Sequence, residues 1–120
     1  LSNHYFESEW FKVKRLKTLY TEAVHAAIRP LTRTYFELLH DGKTPPDAEL
    51  PETGISLEWE RLLSSIFIAS DQYGTRSSSV VKIRPERVSI AERAYGPQGK
   101  LLSEIKLSEE PVTWTGSGKP

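Results

Sequence analysis

The order of the predicted elements, helices first and strands after, indicates an α+β fold for this chain of 120 residues. Apolar residues recur at a three-to-four spacing between Trp10 and His40, which is typical of amphipathic helices. After Gly74 they alternate along short segments separated by turn residues, which is typical of strands. The length allows one domain with a single core.

The first helix is predicted over about Trp10–Ile28, with one apolar face. Pro30 ends it, because the residue before a proline avoids the α region. A second helix is predicted over about Thr34–His40. We expect Asp41-Gly42 to stop this helix, since glycine adopts the left-handed conformation at low cost.

A proline-containing loop is predicted over Lys43–Thr53, followed by a third helix over about Leu57–Ser64. Ser56 is a suitable residue to cap that helix, and the acidic side chains of its first turn suit the positive end of the helix dipole. The apolar run Ile66–Ile68 is too short to assign by its period alone.

Three strands complete the prediction, at Ser78–Ile83, Val88–Tyr95 and Leu101–Leu107. The turns Pro85-Glu86 and Gly96–Gly99 join them, so the strands should form an antiparallel meander. Three amphipathic helices could cover one face of this sheet, and its strand edges favour further sheet from elsewhere. Residues 111–120 are expected to be a flexible tail.

The composition excludes several function classes. Sixteen basic residues balance sixteen acidic ones, so no overall field attracts nucleic acid or an anionic membrane. The absence of cysteine excludes a disulfide, a thiolate metal site and a cysteine nucleophile within these residues. No apolar run approaches the roughly 18 residues that a membrane-spanning helix needs.

Few residues suggest chemistry by their spacing. There is no phosphate-binding glycine loop, no HExxH motif and no nucleophile elbow, and we interpret His4, His25 and His40 as structural or solvated. No metal site is expected. Arg76 differs, because it follows Gly74-Thr75 at the start of a strand. It could bind a carboxylate or a developing anion in a pocket, or form an ordinary structural salt bridge.

Several blocks of sequence occur in order along about residues 1–108. They are Leu1-Ser2-Asn3, Trp10 with Lys12, Pro46–Gly54, Leu57–Ile68, Tyr73–Val81 and Ala91-Glu92-Arg93. Together these blocks resemble the NRDE family, which includes homologues of transport and Golgi organisation protein 2.

The resemblance implies an N-terminal-nucleophile-like architecture, in which two sheets pack face to face between helical layers. It also implies a first half with an amino-terminal cysteine and the Asn-Arg-Asp-Glu motif, and neither is present here. We therefore expect residues 1–110 to be the C-terminal portion of a single NRDE-type domain. Alone, this portion should be catalytically inert, since it lacks the attacking group.

Two supporting site residues follow from the resemblance to amidases of the choloylglycine hydrolase type. Asn3 looks like the asparagine whose amide donates to the oxyanion of a tetrahedral intermediate. Arg76 looks like the arginine beside the nucleophile, where it could bind an anionic group of the substrate. The simpler alternative is that Asn3 caps a turn and Arg76 braces the edge of the sheet.

The family resemblance leaves two functions open. One is a binding or trafficking role in Golgi organisation, secretory transport, lipid homeostasis or haem handling, with an acyl compound, lipid or haem as the small-molecule partner. No haem-ligand motif is present and no cofactor is predicted, although His4, His25 or His40 could ligate haem. The alternative is part of a hydrolase acting on non-peptide amide or acyl bonds. We expect a cytoplasmic location, with mitochondrial or Golgi association as an alternative; the oligomeric state is open.

Overall fold

The computed structural model describes residues 10–110, so Asn3 and the predicted tail at 111–120 lie outside the described residues. Within that range the helices precede the strands, which confirms the predicted α+β class. The helices are α1 (Phe11–Ala26), α2 (Thr32–Leu39) and α3 (Leu57–Leu63), and the strands are β1 (Ser77–Arg84), β2 (Arg87–Tyr95) and β3 (Leu101–Glu109). Short 3-10 turns occur at Asp47–Glu49 and Pro97–Gly99.

The strands form one antiparallel sheet in the order β1-β2-β3, which confirms the predicted meander. Val80 pairs with Ala91, and Ala91 pairs with Lys106, so the register follows directly from the two tight connections. The β2–β3 pairing shifts by one residue between Ala94 and Tyr95. Such a bulge bends a strand locally, and here it lies where β2 enters the second turn.

The core lies between α2 and one face of the sheet, which we call the inner face. Phe36 of α2 is 1% exposed and packs on the paired residues Val80 and Ala91. Tyr35 and Leu39 extend this cluster. The expectation that three helices cover the face is therefore wrong in detail: α2 packs on β1, α1 packs on α2, and neither α1 nor α3 has an extensive contact with the sheet.

A charged side chain completes this core. The Arg93 guanidinium lies 4.3 Å from the centroid of the Phe36 ring. Its Nε donates to Glu104 Oε2 at 2.7 Å, and Lys106 Nζ lies 3.1 Å from the other oxygen of that carboxylate. Arginine over an aromatic face is stabilised by the ring quadrupole while its polar edge keeps a hydrogen-bond partner. The ion pair thus links β2 to β3 beside the core.

The start of α3 and the end of α2 were both predicted from the sequence, and the structure confirms the capping residue of α3 but not the role of Gly42. Ser56 caps α3, since its Oγ accepts a hydrogen bond from the Trp59 backbone at 3.3 Å. The end of α2 at Leu39 agrees with the prediction to within one residue, but Gly42 does not adopt the left-handed conformation expected of it. The chain turns instead at Asp41, whose carboxylate also accepts from the Lys43 backbone.

The other face of the sheet, the outer face, is uncovered within residues 10–110. Val81, Ile90 and Leu107 form one row across the three strands, and Ile105 lies in the next row. These four residues, which we call the outer apolar patch, are between 40% and 62% exposed. The larger apolar side chains of β2 and β3 therefore lie away from the core, although the alternation itself was predicted.

In the part of the chain that the structure describes, no helix has both the length and the apolar character needed to cross a bilayer.

Candidate functional site

Arg76 lies immediately before β1, at the entrance to the sheet, as the sequence predicts. Its backbone oxygen accepts a hydrogen bond from the Tyr95 amide at 2.8 Å. Tyr95 is itself 4% exposed. The Arg76 backbone is therefore attached to a buried residue of the neighbouring strand, and the position from which its side chain projects is well defined.

The loop before Arg76 closes on itself through two hydrogen bonds. The Thr75 amide donates to the Ile68 oxygen at 2.8 Å, and the Ile68 amide donates to Thr75 Oγ1 at 3.0 Å. A Cβ atom at Gly74 would lie 2.8 Å from the Ile68 oxygen, which is closer than such atoms approach in proteins. The Gly-Thr pair therefore has a physical reason: glycine admits the close approach and threonine supplies the second bond.

The tip of this loop is attached to the turn between β2 and β3. The Gln98 amide donates to the Ser70 oxygen at 3.0 Å, and Gln98 Nε2 donates to Asp71 Oδ1 at 2.7 Å. Ser70 Oγ donates to the Tyr73 oxygen at 2.5 Å and accepts from the Tyr73 amide at 3.1 Å. Hydrogen bonds within the loop and to its neighbour thus hold residues 68–76 in one conformation.

The Arg76 side chain is exposed at a small depression of about 90 Å³. Asp71 lines the same depression, yet within residues 10–110 the guanidinium has neither an ion pair nor a hydrogen bond to a side chain. Of the two interpretations drawn from the sequence, a structural salt bridge thus finds no support in the described residues. An arginine with open donors can bind a carboxylate or phosphate through two parallel hydrogen bonds.

A larger cleft of about 300 Å³ adjoins the same loop, since Ala69 at the start of the loop and Gln98, which is hydrogen-bonded to it, line the cleft. The residues that line it are His40, Gly42, Thr44, Leu62, Ser65, Phe67, Ala69, Gln98 and Gly99. Their composition is mixed, with aromatic and aliphatic groups beside a few hydroxyl and amide groups. This is the usual chemistry of a small-molecule pocket.

Aromatic rings build one wall of the cleft. The His40 ring lies 4.0 Å from the Phe67 ring between centroids, and Phe67 meets Tyr95 edge-on at 4.8 Å. Gly99, with φ +70°, approaches so closely that a Cβ there would lie 2.8 Å from Phe67 Cε1. Sequence reasoning missed this cleft, because its residues come from three separate segments. The Gly99 turn was the one available signal.

An ion pair fixes the segment that carries Phe67. Arg15 of α1 donates to both carboxylate oxygens of Asp41, at 2.6 and 2.7 Å. The Asp41 backbone oxygen in turn accepts from the Phe67 amide at 2.8 Å. The hydrogen bond from Arg15 is the main cause that lowers the pKa of Asp41, and the Lys43 amide lowers it further against partial burial. Asp41 therefore connects α1 to the cleft.

The other residues singled out from the sequence are not brought together. His40 lies in the cleft wall, whereas His25 is in the last turn of α1. His4 and Asn3 lie outside the described residues, so the pairing of Asn3 with Arg76 stays a prediction. Within residues 10–110, no group of three or more histidine, aspartate or glutamate side chains is arranged to hold a metal ion.

The comparison with known proteins adds one positive finding. A family model described as Transport and Golgi organisation 2 matches residues 1–97. The match includes the whole Arg76 loop, β1 and β2, and it ends before β3. No curated protein and no solved structure is significantly similar to the chain. Because the match covers more than half of the sequence, the chain belongs to the Transport and Golgi organisation 2 family.

Proposed function

We propose that this chain is the ligand-binding part of a domain that acts in transport and Golgi organisation, and that its ligand is a small molecule with an anionic group. An acyl compound, a lipid or haem has the required chemistry. The observation that carries the proposal is Arg76: its exposed guanidinium has open donors and projects from a backbone held by Tyr95. A guanidinium with open donors on a fixed backbone position suits recognition of a carboxylate or phosphate.

The neighbouring cleft supports the same proposal. Its wall of His40, Phe67 and Leu62 offers apolar surface, and Thr44 and Ser65 offer hydroxyl groups. A ligand with an apolar body and an anionic end would place the body against this wall and the charge toward the loop that carries Arg76. The two depressions are lined by neighbouring residues of the same loop, namely Ala69 and Ser70.

Titration of the full chain with an acyl-CoA and, separately, with haem tests the proposal. We expect saturable binding of one of these two ligands, detected by calorimetry for the acyl-CoA and by the change in absorbance for haem. Arg76→Ala should weaken it about 10- to 100-fold, because a charge-assisted hydrogen bond is worth about 1.5–3 kcal/mol. Arg76→Lys should recover part of the loss, since lysine keeps the charge but not the paired donors.

The matched control is Arg33→Ala, which removes an equally exposed arginine of α2 that pairs only weakly with Glu37, at 3.7 Å. This variant should bind like the wild type. The proposal would be contradicted if neither ligand bound saturably, or if Arg76→Ala bound as tightly as the wild type.

The alternative function is part of an N-terminal-nucleophile hydrolase acting on non-peptide amide or acyl bonds. The outer apolar patch favours it, because a two-sheet sandwich would cover that face with a second sheet. In this alternative Asn3 would donate to the oxyanion and Arg76 would hold the substrate. The nucleophile would come from an amino-terminal cysteine, so the 120 residues alone would be inert.

The hydrolase alternative needs a longer chain that supplies the cysteine. Such a protein should release product from a panel of acyl amides and lose that activity when the cysteine is replaced by alanine. Activity that survives this replacement would exclude the cysteine as nucleophile. The compartment is a separate proposal: a cytoplasmic protein with Golgi or mitochondrial association, which imaging of the tagged chain would test.

A further inference from the structure

One end of the molecule combines exposed apolar residues with clustered basic ones. We propose that this end docks on the surface of anionic phospholipid bilayers. It consists of the loop between α1 and α2 and the adjoining inner-face end of the β1–β2 hairpin. We call it the basic tip, and its members are Ile28, Arg29, Leu31, Lys82, Arg84 and Arg87.

Specific contacts bring the loop and the hairpin together. Lys82 Nζ donates to the Pro30 backbone oxygen at 3.2 Å, and Arg29 lies 3.8 Å from Glu86 in the hairpin turn. Pro30 is buried, whereas Ile28 is 99% exposed and Leu31 is 64% exposed. The proline thus anchors the loop while the aliphatic side chains on either side of it project away from the protein.

The charges of the basic tip are not balanced locally. Arg84 and Arg87 pair in register at the end of the hairpin, on the same face as Lys82. Like charges opposite each other in a sheet are unfavourable unless a counter-charge relieves them. Partial burial lowers the pKa of Lys82, and the positive charge of Arg84 lowers it further, so these groups lie close enough to repel.

Two acidic side chains lie near this end of the sheet: Glu86 in the hairpin turn, and Glu109 at the end of β3 on the outer face. Glu86 is the only acidic side chain of residues 10–110 within ion-pair distance of the tip, and it approaches Arg29 rather than the hairpin arginines. Arg87 donates to the neutral hydroxyl of Ser108. The whole chain has equal numbers of acidic and basic residues, so the tip is a positive pole on a neutral protein. An external anionic surface would supply the missing counter-charge.

A bilayer matches this chemistry better than other partners. Aliphatic side chains at a protein tip insert at the boundary of headgroups and acyl chains, and flanking lysine and arginine bind the anionic headgroups. Nucleic acid would use the cations but gain nothing from Ile28 and Leu31. An apolar groove of a protein would use the aliphatic groups but leave the cations without partners.

Sedimentation of the full chain with vesicles tests the proposal. We expect binding to phosphatidylcholine vesicles that contain phosphatidylserine, weak binding to phosphatidylcholine alone, and weaker binding as ionic strength rises above about 0.15 M. The variant Arg84→Gln/Arg87→Gln should bind about 25-fold more weakly, because each basic residue near an anionic surface contributes about fivefold. Ile28→Ser/Leu31→Ser should lose on the order of tenfold.

The matched control is Lys17→Gln/Lys100→Gln, which removes the same charge from exposed positions outside the basic tip. Its binding should change little. Circular dichroism and melting of every variant show whether the fold is retained. A second readout does not depend on loss of binding: the chain has no cysteine, so Ile28→Cys takes a single environment-sensitive fluorophore. Its emission should shift to the blue on anionic vesicles, and that of labelled Lys100→Cys should not.

Four results would overturn the proposal. They are no binding to anionic vesicles, equal binding to neutral vesicles, equal losses in the control and tip variants, and an unshifted label at position 28. Binding of heparin or duplex DNA that depends on the two hairpin arginines, without vesicle binding, would assign the tip to a polyanion instead.

Discussion

Replacing Phe36 with alanine removes the largest fully buried side chain of residues 10–110. Phe36 is the contact through which α2 packs on the inner face, since it meets the paired residues Val80 and Ala91. Arg93 also lies over its ring. The substitution would leave a cavity between α2 and the sheet. The Arg93 guanidinium would also lose the aromatic ring on which it lies.

The expected loss of unfolding free energy is large for a core of this size. Truncating a buried phenylalanine to alanine costs about 3–5 kcal/mol of unfolding free energy. Loss of the cation–π contact of Arg93 adds about 0.5–2 kcal/mol. Small domains are stable by only about 5–15 kcal/mol, so Phe36→Ala should remove about a quarter or more of the stability. Phe36→Leu should lose much less stability, because leucine fills most of the volume that phenylalanine occupies and only the aromatic ring is missing.

Urea unfolding followed by circular dichroism measures both variants against the wild type. Equal slopes of the unfolding free energy against urea concentration would show that the three proteins expose a comparable surface area when they unfold. A loss below about 1 kcal/mol for Phe36→Ala, which is typical of surface positions, would refute the assignment of this core. Equal losses for the alanine and leucine variants would refute the role given to the packed volume.

Three further predictions concern the loop, the ion pair and the helix cap. Gly74→Ala should cost about 1–3 kcal/mol of stability in the same urea assay, because the new Cβ meets the backbone oxygen of Ile68; a neutral result would mean that the loop relaxes freely. Asp41→Asn should flatten the acid limb of the stability curve. The Arg15 hydrogen bond lowers the folded pKa of Asp41, so its stabilisation is complete above about pH 4 and is lost as pH falls through the lowered pKa; an unchanged acid limb would contradict this. Ser56→Ala should lower the thermal midpoint through a loss of about 1 kcal/mol at the α3 cap, whereas Ser56→Asp should preserve it.

The sequence predicts the local elements well, because they depend on local physics. The three-four spacing predicts a helix over about Trp10–Ile28, and α1 is Phe11–Ala26. The alternation with two turn signals places all three strands to within two residues at each end. Ser56 was predicted as a cap and is one. The end of α2 before Asp41-Gly42 was also predicted, but Gly42 is not left-handed. Asp41 is instead held by Arg15, a residue of a different helix that local reasoning does not include.

The candidate site likewise has one part that local sequence predicts and one part that depends on distant contacts. Arg76 and the need for Gly74 follow from the sequence, because a glycine and a charged residue at a strand entrance signal a close approach within one short loop. The aromatic cleft of His40 and Phe67 was not predictable, since it forms only when segments far apart in the chain meet.

By itself, the sequence determined the α+β class, the order of the elements, the family and the position of Arg76. These depend on periodicity, turn residues and ordered sequence blocks, all of which are properties of neighbouring residues. Only the tertiary structure decided that α2 makes the main helix contact with the sheet, that residues 10–110 leave the outer apolar patch uncovered, and that Ile28 lies beside the hairpin arginines. Which face of a strand is buried, and which charges lie together, depends on contacts between distant segments that no local pattern records.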